Sequence, residues 1–314
     1  MAMQPALIAL DIDGTLLPPD SRDLSAASRK AIEAAQAADI EVAIATGRRH
    51  HYAAPILERA ELPPETILIS SNGSVMRTLA GERLRSTTLP PELACELSAA
   101  LEPWSASVVF TLDREGAGEL LVASLTALTE QVPRWVAANQ KSIQEVCPLS
   151  DAFREPGAPG PIQGMICGTA SAMLAAEQRL RESEFAGRLE IVRTSYTDRD
   201  LAILDLLPLG CSKGAALAAL ASSREFTSAQ VMAVGDNWND ESMLRWAGWP
   251  VLMGNAEPDL LAIAQTQGWQ IAPSNDQEGV AFAIEAAVHT QGSLEALKAL
   301  RRKARPKLNL ETGR

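Results

Sequence analysis

The sequence predicts an α/β chain whose parallel-sheet core is interrupted by a second, inserted α/β unit. Three observations carry this. Short apolar runs alternate with helix-forming stretches over the first 70 residues, the pattern of βαβ units and a parallel sheet. From about Leu84 to Asp200 the texture changes, and the first pattern returns at Leu201. The chain has 314 residues, long for one domain and typical of two.

Ala6–Leu10 is an apolar run of strand length, followed by "DIDGT". If the strand persists past Leu10, Asp11 and Asp13 share a face, because residues two apart on a strand point the same way. Ser25–Ala38 is rich in helix formers, with Ser25 placed to cap it. "IEVAIAT" at 40–46 is a second strand, Arg49–Ala60 a helix and "TILIS" at 66–70 a third strand. Residues 71–87 break the rhythm, and the turn signals Asn72-Gly73 and Ala80-Gly81 predict a hairpin-like excursion.

In the middle block, the strand-like pieces "SVVFTL", "ELLVAS", "IQGMIC" and "RLEIVRT" alternate with helical stretches at Pro91–Leu101, Thr126–Asn139 and Ser171–Glu184. Residues 154–164, "REPGAPGPIQG", hold too much Pro and Gly for a regular element. Beyond Leu201 come a helix at Lys213–Ser222, the strand "VMAV" at 231–234, a helix at Glu241–Trp246 and the strand "PVLM" at 250–253. The expected organisation is a discontinuous core of 1–84 and 201–291, an α/β insertion of 85–200 and a helical tail of 292–314. The tail's Lys298, Arg301, Arg302, Lys303, Arg305 and Lys307 suit the C-terminal end of a solvated helix.

Composition narrows the function. Apolar residues make up 46% of the chain, enough for a substantial core, and the net charge is -11. That balance disfavours nucleic acid, whose phosphates reward basic surfaces. It leaves open a small anion met locally by a metal, a lysine and backbone N–H groups. Cys95, Cys147, Cys167 and Cys211 are scattered, with no CxxC pair, as expected of free thiols in a reducing compartment. The N-terminus lacks the basic start of a signal peptide, and no run of apolar residues is long enough to span a membrane. A cytoplasmic protein that uses no membrane is expected.

Four segments carry chemistry, and each lies where a parallel strand ends or a helix begins. Asp11 and Asp13 follow the first strand, and Thr46 ends the second. Asp236, Asn239 and Asp240 follow "VMAV", and Lys213 opens a helix. Loops at the carboxyl ends of parallel strands are where such sheets bind ligands, so segments some 200 residues apart in the chain converge in one crevice. Asp11, Asp13 and Asp236 offer oxygen donors of the kind Mg²⁺ prefers, and a cation resolves the repulsion between neighbouring carboxylates. Phosphate is the anion to complete such a site, with Thr46 as a hydrogen-bond donor and Lys213 as a charge. Gly14 and Gly47 allow backbone N–H groups to approach it. A carboxylate beside Mg²⁺ can attack phosphorus, and a second can move the protons.

Together "DIDGTLL", "ATGR", "SKGAAL" and "GDNWND" resemble the four motifs of the haloacid dehalogenase superfamily, specifically its Cof-type hydrolases. "SNGSV", "VLMGNA" and "NDQEGVA" agree, as does the placing of the insertion between the second and third motifs. The resemblance covers residues 5–289 and implies a Rossmann-like core, a large α/β cap, Mg²⁺ dependence and phosphomonoester hydrolysis. It assigns Asp11 as nucleophile and Asp13 as general acid/base, with the Asp13 backbone carbonyl also on the metal. Thr46 and Lys213 would hold the phosphoryl group, Asp236 the metal, and Asn239 the phosphate or the metal's water shell. Asp240 would serve the metal site directly or by anchoring Lys213, and Arg48 would bind substrate or brace its loop.

The expected partner is a small phosphorylated metabolite, a sugar phosphate first, with the chain a monomer or homodimer. Other readings are a phosphotransferase or sugar phosphate mutase on the same core, a phosphoaspartate signalling module, and a silent binding protein. Specificity is expected from the insertion, near the 112–119 turn or the 154–164 loop. His50 and His51 read as an exposed helix start. Trp238 is bulkier than the small residue expected within its motif.

Overall fold

The computed structural model describes residues 4–18, 21–196 and 199–289; the expected tail at 292–314 lies outside them. Strands β1 (Leu7–Leu10), β2 (Glu41–Ala45), β3 (Ile67–Ser70), β4 (Val75–Thr78) and β5 (Arg83–Ser86) open the chain. Next come β6 (Val109–Thr111), β7 (Leu120–Val122), β8 (Ile143–Glu145), β9 (Gln163–Gly168), β10 (Leu189–Tyr196) and β11 (Leu201–Pro208). The last three are β12 (Val231–Gly235), β13 (Trp249–Leu252) and β14 (Gln270–Ile271).

They form two sheets. The first has the order β14-β13-β12-β1-β2-β3-β4-β5. It is parallel from β14 to β3, and the antiparallel pair β4 and β5 extends its edge, as the turn signals at 71–87 require. Side-chain alternation along each strand divides the core between two faces. Ile8, Leu10, Val42 and Ile44 pack with the helices Ala26–Ala37, His50–Arg59 and Gly279–His289. Leu7, Ala9, Ala43 and Ala45 pack with Lys213–Ser223, Glu241–Trp246 and Pro258–Gln267. Helices on both faces explain why these strands read as unbroken apolar runs. Ser25 caps its helix as expected, its hydroxyl accepting from the Ser28 N–H at 3.0 Å.

The second sheet has the order β10-β11-β9-β6-β7-β8, antiparallel except between β7 and β8. The helices Pro91–Ala100 and Ala170–Arg181 cover one face through Leu93, Leu97, Met173 and Leu180. Two details depart from the sequence reading. The single helix expected at Thr126–Asn139 is two, Leu125–Gln131 and Pro133–Asn139, because a proline disfavours helical geometry at the residue before it; Val132 sits at φ -136°, ψ 62°. Leu201–Pro208, grouped with the core in the sequence reading, belongs to the second sheet. Its backbone pairs with the whole of β10, from Leu189 against Pro208 to Tyr196 against Leu201. Among the described residues no helix is long and apolar enough to cross a membrane.

Candidate active site

Register places the site. Leu10 pairs with Ile44 on one side and Val234 on the other, so Asp11, Thr46 and Asp236 emerge together at the carboxyl edge of the first sheet. The extended geometry stops at Leu10, and the chain turns through Asp11–Leu17. The two carboxylates have separate partners, Lys213 for Asp11 and Arg48 for Asp13.

Asp11 is buried and accepts from Lys213 Nζ at 2.6 Å. Lys213 is wholly buried and also donates to Asp240 Oδ1 at 2.6 Å. Burial alone would lower the lysine's pKa, but the two carboxylates outweigh it and hold the ammonium above its ordinary range. Asp240 Oδ2 accepts from the backbone N–H groups of Asp236 and Asn237, at 2.9 and 3.1 Å. Both oxygens of Asp240 are thus engaged within the protein, which suits the anchoring role better than a place on the cation.

Asp236 Oδ1 accepts from the Thr15 hydroxyl at 2.9 Å, leaving Oδ2 for a ligand. Gly14, at φ +78°, lets this carboxylate close on the loop: a Cβ there would lie 2.1 Å from Asp236 Oδ2. Asn255 Nδ2 holds the Gly14 carbonyl at 2.9 Å, and no backbone N–H among the described residues takes the Asp13 carbonyl. Carboxylate oxygens of Asp11, Asp236 and Asp240 lie within 4.8 Å of one another. An oxygen of Asp11 and the second oxygen of Asp236, with a free carbonyl nearby, are a donor set that fits a hard divalent cation.

The metal-free cluster carries an electrostatic cost. Burial, and then the Asp240 carboxylate, push the Asp11 carboxyl up to about 8 from an ordinary 3.8, against the opposing pull of Lys213. Asp236 is raised by burial and then by Asp11 and Asp240. Between the ordinary and the raised value, the folded state holds protons that the unfolded chain has released, so stability falls as pH rises through that window. Thermal stability in EDTA is therefore expected to fall from about pH 4 to about pH 8, with saturating Mg²⁺ flattening the trend by replacing the protons. A metal-free Tm that climbs over this range would contradict the assignment.

Asp13 is gripped by Arg48, Nε on Oδ2 at 2.7 Å and Nη2 on Oδ1 at 2.5 Å. Arg48 here braces Asp13, both carboxylate oxygens of which it holds. Thr46 is wholly buried, and its hydroxyl oxygen accepts from the Arg48 N–H at 3.1 Å, leaving its hydrogen to donate. Asn239 Nδ2 donates to Asn72 Oδ1 at 3.1 Å.

The second sheet closes over this edge through contacts that no motif announced. The Asn237 side-chain amide pairs with both backbone groups of Ser195 on β10, at 3.0 and 2.9 Å. Arg193 lies over the Trp238 ring at 4.9 Å, and Trp238 Nε1 donates to Glu257 at 2.7 Å, so the bulky residue in the fourth motif serves as a contact for β10. Tyr196 ends β10; burial and then the carboxylates of Asp13 and Asp11 hold its phenol above the usual range.

On the opposite side Glu119 is almost wholly buried and pairs with Arg49, and His51 Nε2 reaches the same carboxylate at 2.9 Å. His50 Nε2 contacts the Thr78 carbonyl at 2.9 Å. Neither histidine is the bare helix start that the sequence suggested. The 112–119 turn reaches the first sheet, Asp113 also bonding Arg77 and Ser86 at 2.7 Å each. Residues 154–158 instead line a groove with the helix Pro91–Ala100. The signal for the missed contacts was slight: lone acids, Glu119 and Asp205, inside otherwise apolar stretches.

A buried lysine between two aspartates, oxygen donors for a cation and a second sheet folded over them define an enzyme that hydrolyses phosphoric monoesters. The model of the haloacid dehalogenase-like hydrolase family matches residues 8–284, and the chain belongs to that family, in its Cof-type branch. Similar proteins include an HMP-PP phosphatase of Serratia proteamaculans (strain 568), 31% identical over 282 residues that span 89% of this chain and 94% of that one. The phosphatase YwpJ of Bacillus subtilis (strain 168) is 30% identical, over 89% of this chain and 98% of its own. A solved haloacid dehalogenase-like hydrolase from B. subtilis superposes with a TM-score of 0.72 at 26% identity, covering 89% of this chain and 99% of the other.

Proposed function

We propose that this phosphatase hydrolyses a small phosphorylated metabolite, a sugar phosphate first among the candidates, through an aspartyl phosphate on Asp11 and with Mg²⁺. The observation that carries the reading is the wholly buried Lys213, bonded at 2.6 Å to both Asp11 and Asp240 beside the cation donor set. An ammonium desolvated there neutralises an anion more strongly than it would in water. It also holds one Asp11 oxygen so that the other is presented to phosphorus.

In the first step that second oxygen bonds to phosphorus, the ester P–O bond breaks, and the leaving alkoxide takes a proton from Asp13. In the second, Asp13 takes a proton from water as the water oxygen attacks phosphorus, which releases phosphate and frees Asp11. Arg48 keeps the Asp13 carboxyl turned to the leaving-group side, and Thr46 with the Gly47 backbone donates to the phosphoryl oxygens, whereas the Gly14 N–H is bonded to the Leu17 carbonyl at 3.3 Å. Mg²⁺, held by Asp11, Asp236 and the Asp13 carbonyl, would supply charge neutralisation at those oxygens. The closed cap excludes water during transfer.

The test is phosphate release from sugar phosphates, nucleotides, cofactor phosphates and, because the Serratia relative carries that name, HMP-PP, each with Mg²⁺ and with EDTA. Release that requires Mg²⁺ is expected for at least one class. No release from any compound by folded protein overturns the reading. Turnover that rises when a sugar acceptor is added turns it toward phosphoryl transfer.

A further inference from the structure

A line of buried side-chain hydrogen bonds runs from the second sheet into the fourth-motif loop, and none of the steps above uses it. It begins at Asp205, an acid within the apolar strand β11, 4% exposed. Its Oδ1 accepts from Gln163 Nε2 on β9, and its Oδ2 accepts from Asn72 Nδ2 at 2.7 Å. Asn72 Oδ1 in turn accepts from Asn239 Nδ2 at 3.1 Å.

The middle member is held with unusual firmness. Asn72 and its neighbour Ser71 both have left-handed backbones, at φ 52° and 48°, a conformation that persists only where the surroundings enforce it. Their N–H groups donate to the carbonyls of Thr46 and Arg48, at 3.0 and 2.8 Å, so the turn is fastened to the phosphate-side loop. Gly47 packs against the two amides: a Cβ there would lie 3.2 Å from Asn72 Oδ1 and 3.5 Å from Asn239 Nδ2.

The line has a direction, and Asp205 sets it. An ionised carboxylate can only accept. Asn72 must therefore turn its NH₂ to Asp205, which leaves its oxygen toward Asn239. Asn239 must then turn its own NH₂ to Asn72. Reversing any one amide alone would set two donors or two acceptors face to face. Among the described residues no donor meets the remaining oxygen, Asn239 Oδ1, three positions beyond Asp236.

We propose that Asp205 is a positioning residue that, through Asn72, fixes Asn239 with its oxygen toward the site, where it accepts a hydrogen bond from the cation's water shell. This rests on the reading of the site as a Mg²⁺-dependent phosphatase centre. Asp205 belongs to the cap sheet and Asn239 to the core, so the acceptor is set only while the cap is seated.

The chemistry supplies a clean test, run at alkaline pH where Asp205 is ionised. Asp205→Asn keeps every bond if the line inverts with Gln163 as it stands; Asp205→Asn with Gln163→Glu, a carboxylate that accepts from the new amide, keeps the original direction and is expected to keep the Mg²⁺ affinity. In the single variant the new amide accepts from Gln163 and donates to the Asn72 oxygen, Asn72 donates to the Asn239 oxygen, and Asn239 turns its NH₂ to the site. Folding stability is expected to be retained. Mg²⁺ affinity, measured by calorimetry without substrate, is expected to fall on the order of tenfold, the usual effect of losing such an outer partner, with kcat falling and the KM of the phosphate ester unmoved. Adding Asn72→Asp to Asp205→Asn restores the direction, since a carboxylate at 72 accepts from both neighbours, and Mg²⁺ affinity is expected to recover.

Unchanged Mg²⁺ affinity in Asp205→Asn, or a loss that the double variant does not recover, overturns the proposal. Should the single variant not fold, Asn239→Asp alone opposes two acceptors, whereas Asn239→Asp with Asp205→Asn reverses Asn72 and relieves them. Equal Mg²⁺ affinity in those two then overturns it. Failure of wild-type protein to release phosphate removes the functional reading while leaving the calorimetric comparison intact; failure to bind Mg²⁺ overturns both.

Discussion

Asp11→Asn is expected to abolish phosphate release, by on the order of 10⁴-fold or more, the scale of loss when a nucleophile is removed from a covalent mechanism. The fold is expected to survive. Asp11 in the metal-free protein already favours its neutral form, because burial and Asp240 push its carboxyl up to about 8, and an amide is a neutral group of the same shape. Lys213 keeps Asp240 at 2.6 Å as a partner, so the substitution strands no unpaired ammonium. Release of phosphate within tenfold of wild type, with the variant's mass confirmed, would mean that water attacks phosphorus directly and that Asp11 serves only the cation. Mass spectrometry of wild-type protein quenched in turnover supplies the complementary reading, since the proposed intermediate would add a phosphoryl group at Asp11.

The second large effect is on stability. Lys213→Met removes the cation that, among the described residues, bonds Asp11 and Asp240, both buried. Breaking a buried ion pair from one side costs about 3–5 kcal/mol, because the surviving charge is left without compensation; here that charge is Asp240, while Asp11, which favours its neutral form, loses its donor. Denaturation in EDTA is expected to show a loss of that order, together with absent turnover. Asp240→Asn added to Lys213→Met is expected to recover part of the stability and none of the activity. A Lys213→Met protein as stable as wild type would show that the aspartates simply take up protons at no cost. In that case the ammonium serves the chemistry alone.

Much of this was legible in the chain. The apolar runs before Asp11, Thr46 and Asp236 read as parallel strands because both faces of each are covered, and the site residues follow those runs directly. Ser25 capped its helix, and the turn signals between 71 and 87 became the β4–β5 hairpin. Other features were misread for identifiable reasons. The sequence reading considered the strand extending past Leu10, whereas the chain turns there and Arg48 takes the Asp13 carboxylate. Leu201–Pro208 looked like core because it leads into the Lys213 helix, although β10 claims it. His51 looked exposed because its partner, Glu119, lies 68 positions away in the insertion.

By itself the sequence determined the core strands that precede Asp11, Thr46 and Asp236 and the residue types gathered at their carboxyl ends. Periodicity, turn chemistry and motif spacing are local, so they survive in one dimension. Only the tertiary structure decided which oxygen of each aspartate is left for a ligand, that both oxygens of Asp240 are engaged within the protein, and which way the amides of Asn72 and Asn239 face. Those properties are relations between groups brought together by folding. A side chain becomes donor, acceptor or spare according to what already occupies its other atoms, and no spacing along the chain records that.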